Sequence, residues 1–404
     1  MSFARATEMF SISFLVVVLP LFIAGDAIPI EYLLNINIFG IQMSQELLIG
    51  IALSSAILIS SIGQPIIGRL TDKIKKRKQF VIVGFSLLFI STPFYLTIES
   101  YGSLILLRII QGVAGAISVP AAAALVNDYS IESNNYGKNF GFYNTFRLLG
   151  FGIGPLFAGI IIENGPYEIL KYSISGIDAS FYAVIISIFI ALSLVILFIK
   201  EPKRKTNTEE SYSIYEIIYT SEFKIVLILS FATFWLASSI NLFSTLEIQV
   251  NNRFSQGATW FGIQFSAALL TNTISQIPIG SIVDKYNKKP FIIIGFILLI
   301  PAITLQGFAT TSEQMLLLRL LQGLSVSFVY ISSIAYTGEL GGSESGGLFL
   351  SLLSSSFALG LAVGPVFSGV LFTLGGFSLP FIFAGICSVI GLIIILLFMP
   401  KNDL

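Results

Sequence analysis

Arg108-Ile-Ile-Gln111-Gly112 returns 211 positions later as Arg319-Leu-Leu-Gln322-Gly323. Two further stretches return around it at almost the same interval. Gly68-Arg69-Leu-Thr-Asp72-Lys precedes the first copy, and Gly280-Ser-Ile-Val-Asp284-Lys precedes the second, at an interval of 212. Gly150-x3-Gly154-Pro155-x3-Gly159 follows the first, and Gly360-x3-Gly364-Pro365-x3-Gly369 follows the second, at 210. Chance supplies one such match. Three in order, at a near-constant interval, mean that one structural unit is written twice.

The unit is too oily for water. The chain is 55% hydrophobic and 11% charged over 404 residues, whereas soluble domains carry roughly 25% charged residues. Bilayer hydrocarbon is about 30 Å thick, so a helical span needs ~20 apolar residues. Unbroken apolar runs such as 177–199 and 377–399 fit that length. They satisfy their backbone groups internally as helices. A membrane β-barrel would instead alternate apolar and polar residues. Spans are expected near 7–30, 44–67, 79–98, 102–127, 138–162, 177–199, 222–247, 257–281, 290–310, 312–337, 346–372 and 377–399. The fold class is therefore an all-α integral membrane protein of twelve helices. Two six-helix bundles, 1–199 and 222–404, are expected about a charged cytoplasmic linker at 200–221. The run 10–24 also resembles a secretory leader, but its removal would leave eleven spans and break the repeat.

Basic residues set the orientation. Of the 22 Lys and Arg, Arg108, Arg147 and Arg319 fall inside spans, and only Lys171 and Arg253 face outward. The remaining 17, Arg5 among them, face one side, which places both termini in the cytoplasm of a plasma-membrane protein. Net charge is zero, so no nucleic-acid partner is implied. The single Cys387 excludes an intrachain disulfide and a thiol metal cluster. With no histidine, proton chemistry falls to carboxylates. No H-E-x-x-H and no G-x-x-x-x-G-K-[ST] occurs. Neither an enzyme nor an ATP-driven pump is expected, and neither metal nor cofactor.

The three repeated motifs resemble those of the major facilitator superfamily, over essentially the whole chain. The resemblance implies two halves related by a pseudo-twofold axis, a site near the midplane, and alternating access. It further implies that Gly68, Arg69 and Asp72, with Gly280 and Asp284, form cytoplasmic gating elements. Gly68 reads as a place where another helix approaches closely. Lys75 departs from the family's loop glycine, and Asn287 holds that place in the second copy. By the same resemblance the arginine of R-x-x-Q-G is linked to proton coupling, and G-x-x-x-G-P-x-x-x-G is an antiporter motif. Gly150, Gly154, Pro155 and Gly159, with Gly360, Gly364 and Pro365, also read as helix-packing residues by their small-xxx-small spacing.

An arginine inside a span costs about 2.5 to 17 kcal/mol, depending on method, so it faces a cavity or an acid. Arg108 is about six residues into its span, ~9 Å deep at 1.5 Å per residue. Asp26 reaches a similar depth, and the two are expected to pair for proton coupling. Arg319 has Asn241 near the matching depth and Glu247 somewhat beyond it. Arg147 lies ~15 Å deep, near the midplane. It has no counterpart in the second half, where Phe357 stands. The substrate cavity is expected to involve Arg147, Asn144, Asn241, Gln264, Asn272 and Arg319. Tyr143, Trp235 and Gln276 are further polar or aromatic candidates.

The function expected is secondary active transport of a small organic solute by alternating access, as proton-coupled efflux. The alternative is uptake, by symport or facilitation, of an anionic or sugar-like metabolite, since the three span arginines outnumber clear buried acids. The partners expected are the small-molecule substrate, protons and the lipid bilayer around a monomer. Asp72→Ala is expected to slow transport while membrane insertion stays normal. Uptake normalised to membrane content measures this, and an unchanged rate removes Asp72 from the gate.

Overall fold

The computed structural model describes residues 1–25, 28–38, 40–74, 76–133, 136–169, 171–201, 219–341 and 346–399. Twelve long helices run along it: α1 (Ser2–Ala24), α2 (Gln45–Ile74), α3 (Arg77–Ser91), α4 (Tyr101–Ser133), α5 (Tyr136–Glu163) and α6 (Gly176–Phe198). The second set is α7 (Ser221–Asn241), α8 (Ala258–Val283), α9 (Lys288–Thr304), α10 (Ser312–Gly341), α11 (Gly346–Gly375) and α12 (Ser378–Phe398). The apolar runs make these helices, since a bilayer leaves the backbone no other partner. Pro20, Pro120, Pro155, Pro278 and Pro365 lie inside them. Neighbouring helices tolerate such breaks in a membrane, because they supply partners for the freed groups.

Among the described residues, 11 helices are long and apolar enough to cross a bilayer. The exception is α8, which has 26 residues and therefore sufficient length. Gln264, Thr271, Asn272, Thr273, Ser275 and Gln276 lower its apolarity. Its neighbours α5 and α10 cover much of it, so fewer of its residues need to face lipid.

Two six-helix bundles result, and their contacts repeat. In the first, α1 packs on α5, α2 on α4, α3 on α4 and α1 on α6; in the second, α7 packs on α11, α8 on α10, α9 on α10 and α7 on α12. The halves meet along two long seams, α5 against α8 and α2 against α11. The face where α1 begins and α12 ends is called here the terminal face, and the other the distal face. Distal connections carry two small antiparallel hairpins, β1 (Asn37–Ile38) with β2 (Ile41–Gln42), and β3 (Tyr167–Ile169) with β4 (Tyr172–Ile174). A short helix, Glu247–Phe254, follows a 3-10 turn at the end of α7.

The repeated glycines lie where helices touch. A Cβ on Gly150 would collide with the Ala6 carbonyl of α1, and one on Gly360 with the Phe234 carbonyl of α7. The last glycine of each motif turns to the other bundle. Gly159 abuts the Ala258 carbonyl at the start of α8, and Gly369 abuts Leu47 at the start of α2. One motif thus holds its own bundle together and seals it to the other.

Gly68 and Gly280 differ from that pattern. The close approach expected at Gly68 is not made. A Cβ there would be 3.8 Å from Pro120, and one on Gly280 would be 3.6 Å from Ile331, both ordinary contact. Gly150→Ala is therefore expected to lower thermal stability by about 1–3 kcal/mol through overpacking. Gly68→Ala should be neutral or mildly stabilising, as Ala favours helix by up to about 1 kcal/mol. Melting curves of the purified protein compare the two, and equal behaviour would remove the packing distinction.

Candidate functional site

The R-x-x-Q-G motif builds the same cluster in both bundles. Arg108 Nε donates to the Ala52 carbonyl of α2 at 2.9 Å, and Arg319 Nε donates to the Gln264 carbonyl of α8 at 3.2 Å. Each arginine also donates to the glutamine one turn on, Arg108 to Gln111 at 2.9 Å and Arg319 to Gln322 at 2.7 Å. Each glutamine then accepts from the end of the preceding helix. Tyr95 Oη donates to Gln111 at 2.8 Å, and Gln306 Nε2 donates to Gln322 at 2.9 Å. The remaining N–H groups diverge. Arg108 Nη2 reaches the Leu53 carbonyl at 3.4 Å. Arg319 instead lies over the rings of Phe243 and Phe265, with centroids at 4.3 and 5.2 Å. In this conformation both arginines tie neighbouring helices together. They are almost wholly buried, at 5% and 0% exposure.

A second polar cluster lies deeper toward the terminal face, at the centre of the seam. Arg5 and Glu8 of α1 form a buried ion pair. Ser118 of α4 donates to the other Glu8 oxygen at 3.3 Å. Tyr143 of α5 hydrogen-bonds to Arg5, and Arg147 lies one helical turn along α5. Arg147 Nε donates to Asn144 Oδ1 at 3.2 Å. From the second bundle, Tyr330 of α10 comes within electrostatic reach of Arg147. Its ring packs on Phe357 with centroids 4.5 Å apart. Arg147 and Asn144, brought together here, remain open to solvent in part.

Arg5 corrects the sequence reading, which set it among the cytoplasmic cations. It is inside α1 because Glu8, three residues on, neutralises it there. Glu8 itself went unnoticed. Opposite charges at i and i+3 at the head of an apolar run were the available signal. Tyr330 could not have been found from spacing, since it joins the cluster only when the bundles meet.

The sequence matches the profile of the Major Facilitator Superfamily over residues 1–259 and 226–403. The chain belongs to the major facilitator superfamily. Among relatives of this superfamily, it is 23% identical over 353 residues to the quinolone resistance protein NorA of Staphylococcus aureus, covering 86% of each chain. It is 29% identical over 133 residues to an MFS-type transporter of Methanocaldococcus jannaschii, about a third of each chain (33% and 34%). The solved bacterial homologue of the human lysosomal transporter Spinster, in an inward-facing and occupied conformation, superimposes with a TM-score of 0.76 at 13% identity, covering 98% of this chain and 95% of that one. A D-xylose–proton symporter superimposes at 0.75 with 16% identity, covering 99% and 97%. These solved structures share the superfamily fold.

Other residues singled out from the sequence fall elsewhere in the superfamily fold. Asp26 and the Asp72 side chain lie outside the described residues. Asn241 Nδ2 donates to the Leu361 carbonyl at 2.8 Å and ties α7 to α11. The Gln264 side chain is buried against Gln256 and the Ser312 carbonyl, at 3.1 and 3.3 Å. Asn272 accepts from Gln276 at 3.1 Å along α8. Trp235 lines a small apolar cleft with Phe367, Phe383 and Cys387. Arg69 and Asp284 are exposed. At the terminal face two ion pairs stand at equivalent places, Arg77 with Asp128 at 2.6 Å and Lys288 with Glu339. Their recurrence at an interval of 211 was present in the sequence, hidden within what reads as a basic topology signal.

At the distal face the bundles are latched. Gln249 donates to Glu46 at 2.7 Å, and Thr373 to Ser44 at 2.7 Å. The Thr259 amide, in the first turn of α8, donates to Glu163 at the end of α5 at 2.9 Å. The Leu156 amide beside Pro155 donates to Ser266 at 3.1 Å. Near this latch lies Glu247, the acid considered for Arg319. It is 0% exposed. Neither its carboxylate oxygens nor Arg319 Nη2 has a hydrogen-bond partner, so the two do not pair here.

Burial with no charge to offset it holds the Glu247 carboxyl well above the ordinary value of 4.5. The folded chain therefore keeps a proton that the unfolded chain releases above that value. Stability from this group is highest in acid and declines as pH rises toward the folded value. Glu247→Gln is expected to flatten that decline. Melting temperatures of both proteins between about pH 5 and 8 provide the measurement, and superimposable profiles would exclude a buried neutral carboxyl.

Proposed function

We propose that this chain is a secondary active exporter of small organic solutes, exchanging them for protons as its two bundles rock about the central seam. The bundles are residues 1–199 and 222–404, joined by 200–221. The concentration of Lys and Arg at the terminal face supports a cytoplasmic terminal face.

One observation carries the reading. A buried ion pair, Arg5–Glu8, sits at the seam beside Arg147 and opposite Tyr330 of the other bundle. A charge held inside a membrane marks a substrate or proton pathway. Glu8 is the carboxylate we assign to the exchanged proton. Arg5 stabilises its ionised form, and protonation would release Arg5 and Ser118 together. Arg108, the partner read for Asp26, has its donors engaged by Ala52, Leu53 and Gln111. It serves better as a rigid support. The distal latch closes the seam on the far side, which suits a state loading solute from the cytoplasm. Similarity to NorA, a quinolone resistance protein, supports the export direction.

Flux of a fluorescent quinolone in proteoliposomes, under pH gradients of both signs, tests the proposal. Solute is expected to move against the proton gradient and to reverse with its sign. Glu8→Gln should abolish this response while solute–solute exchange persists. Flux indifferent to either gradient would exclude proton exchange.

A further inference from the structure

The sequence places Arg108, Arg147 and Arg319 inside spans, and the structure separates the three. Arg108 and Arg319 are buried against carbonyls, glutamines and aromatic rings. Arg147 is partly open, and its described hydrogen bond uses Nε alone, to a neutral amide on its own helix. Among the described residues no ion pair includes it. Glu8 is within electrostatic range, but Arg5 and Ser118 already hold its two oxygens. The cluster thus contains two guanidinium groups and one carboxylate, leaving one positive charge in excess at mid-depth.

Across the seam the chemistry changes. The position equivalent to Arg147 is Phe357, 210 residues on. Its ring contacts Tyr330, whose phenol lies within electrostatic reach of the guanidinium. A polar fork on one bundle therefore opposes an aromatic wall with one hydroxyl on the other. A guanidinium grips a carboxylate through two parallel N–H bonds, and a phenol adds one more donor.

We propose that this seam binds an organic anion, its carboxylate forked by Arg147 and hydrogen-bonded by Tyr330, its aromatic or apolar body against Phe357. This rests on the transporter reading of the same site and adds the class of its substrate. Because the two grips belong to different bundles, an anion seated between them joins the halves at mid-depth. A cationic solute of the same shape meets the excess positive charge instead.

Three probes of one shape decide the matter: 2-naphthoate, 2-naphthamide and 2-naphthylmethylammonium. Their binding to the detergent-solubilised full chain is measured by calorimetry at neutral pH. Naphthoate is expected to bind at least about tenfold more tightly than the amide, as for a charge-assisted hydrogen bond, and the cation most weakly. Arg147→Gln should erase the preference for the anion, while an unchanged melting temperature shows that the variant is folded. Arg147→Lys should retain part of it, and Tyr330→Phe should weaken naphthoate alone. Absent anion binding, equal affinity for anion and amide, preference for the cation, or an intact anion preference in Arg147→Gln overturns the proposal. Proton-driven flux of cations alone would overturn it as well, while leaving the transporter reading in place.

Discussion

A guanidinium group keeps its charge in any protein environment, so a membrane protein that buries one must surround it with acceptors. Arg108 and Arg319 show how this chain meets that demand. Each takes a carbonyl from the neighbouring helix and a glutamine from its own, and that glutamine draws in the end of a third helix. Three helices are fixed by one charge. The same arrangement in both halves gives each bundle a rigid frame. The glycines of α5 and α11 then let those frames meet backbone to backbone.

Rigid frames suit the rocking proposed above, because a bundle that flexed internally would dissipate the motion. What changes between frames is the seam, and the seam holds the unequal residues. Phe357 stands in the second half where Arg147 stands in the first, and the Arg5–Glu8 pair has no equivalent ion pair among the described residues of the second half. Duplicated residues build the scaffold here, and the departures from duplication gather at the proposed site. A symmetric pair of sites would bind two solutes alike, whereas the broken symmetry yields one site with a polar and an aromatic wall.

The fold was legible because its signals are local and repeated. Apolar runs gave the helices, and three motifs at 210 to 212 residues gave the duplication. Only α8 was masked from a simple apolarity test, by the amides and hydroxyls it buries against α5 and α10. The site was legible in part. Arg147 stood out as a charge at mid-depth, yet its surroundings did not, since Tyr330 arrives from a helix some 180 residues away. Arg5 read as a topology signal because the rule counts cations near span ends without asking whether an acid follows within one turn. Glu247 read only as an acid somewhat beyond the depth that matches Arg319. Depth along a helix does not reveal that the next short helix folds the side chain inward.

The two ends of the distal latch are built from different chemistry. At matching places, 210 residues apart, Glu163 takes an amide at the head of α8, while Thr373 binds Ser44, which itself accepts the Leu47 amide at the head of α2. One joint is an anion lent by the opposite bundle to a helix's positive pole. The other is a neutral hydroxyl resting on a helix already capped by its own chain. Parting the first strips α8 of its lid and hydrates a full charge, whereas parting the second leaves α2 capped. The two seams therefore part by breaking different bonds and need not open in step.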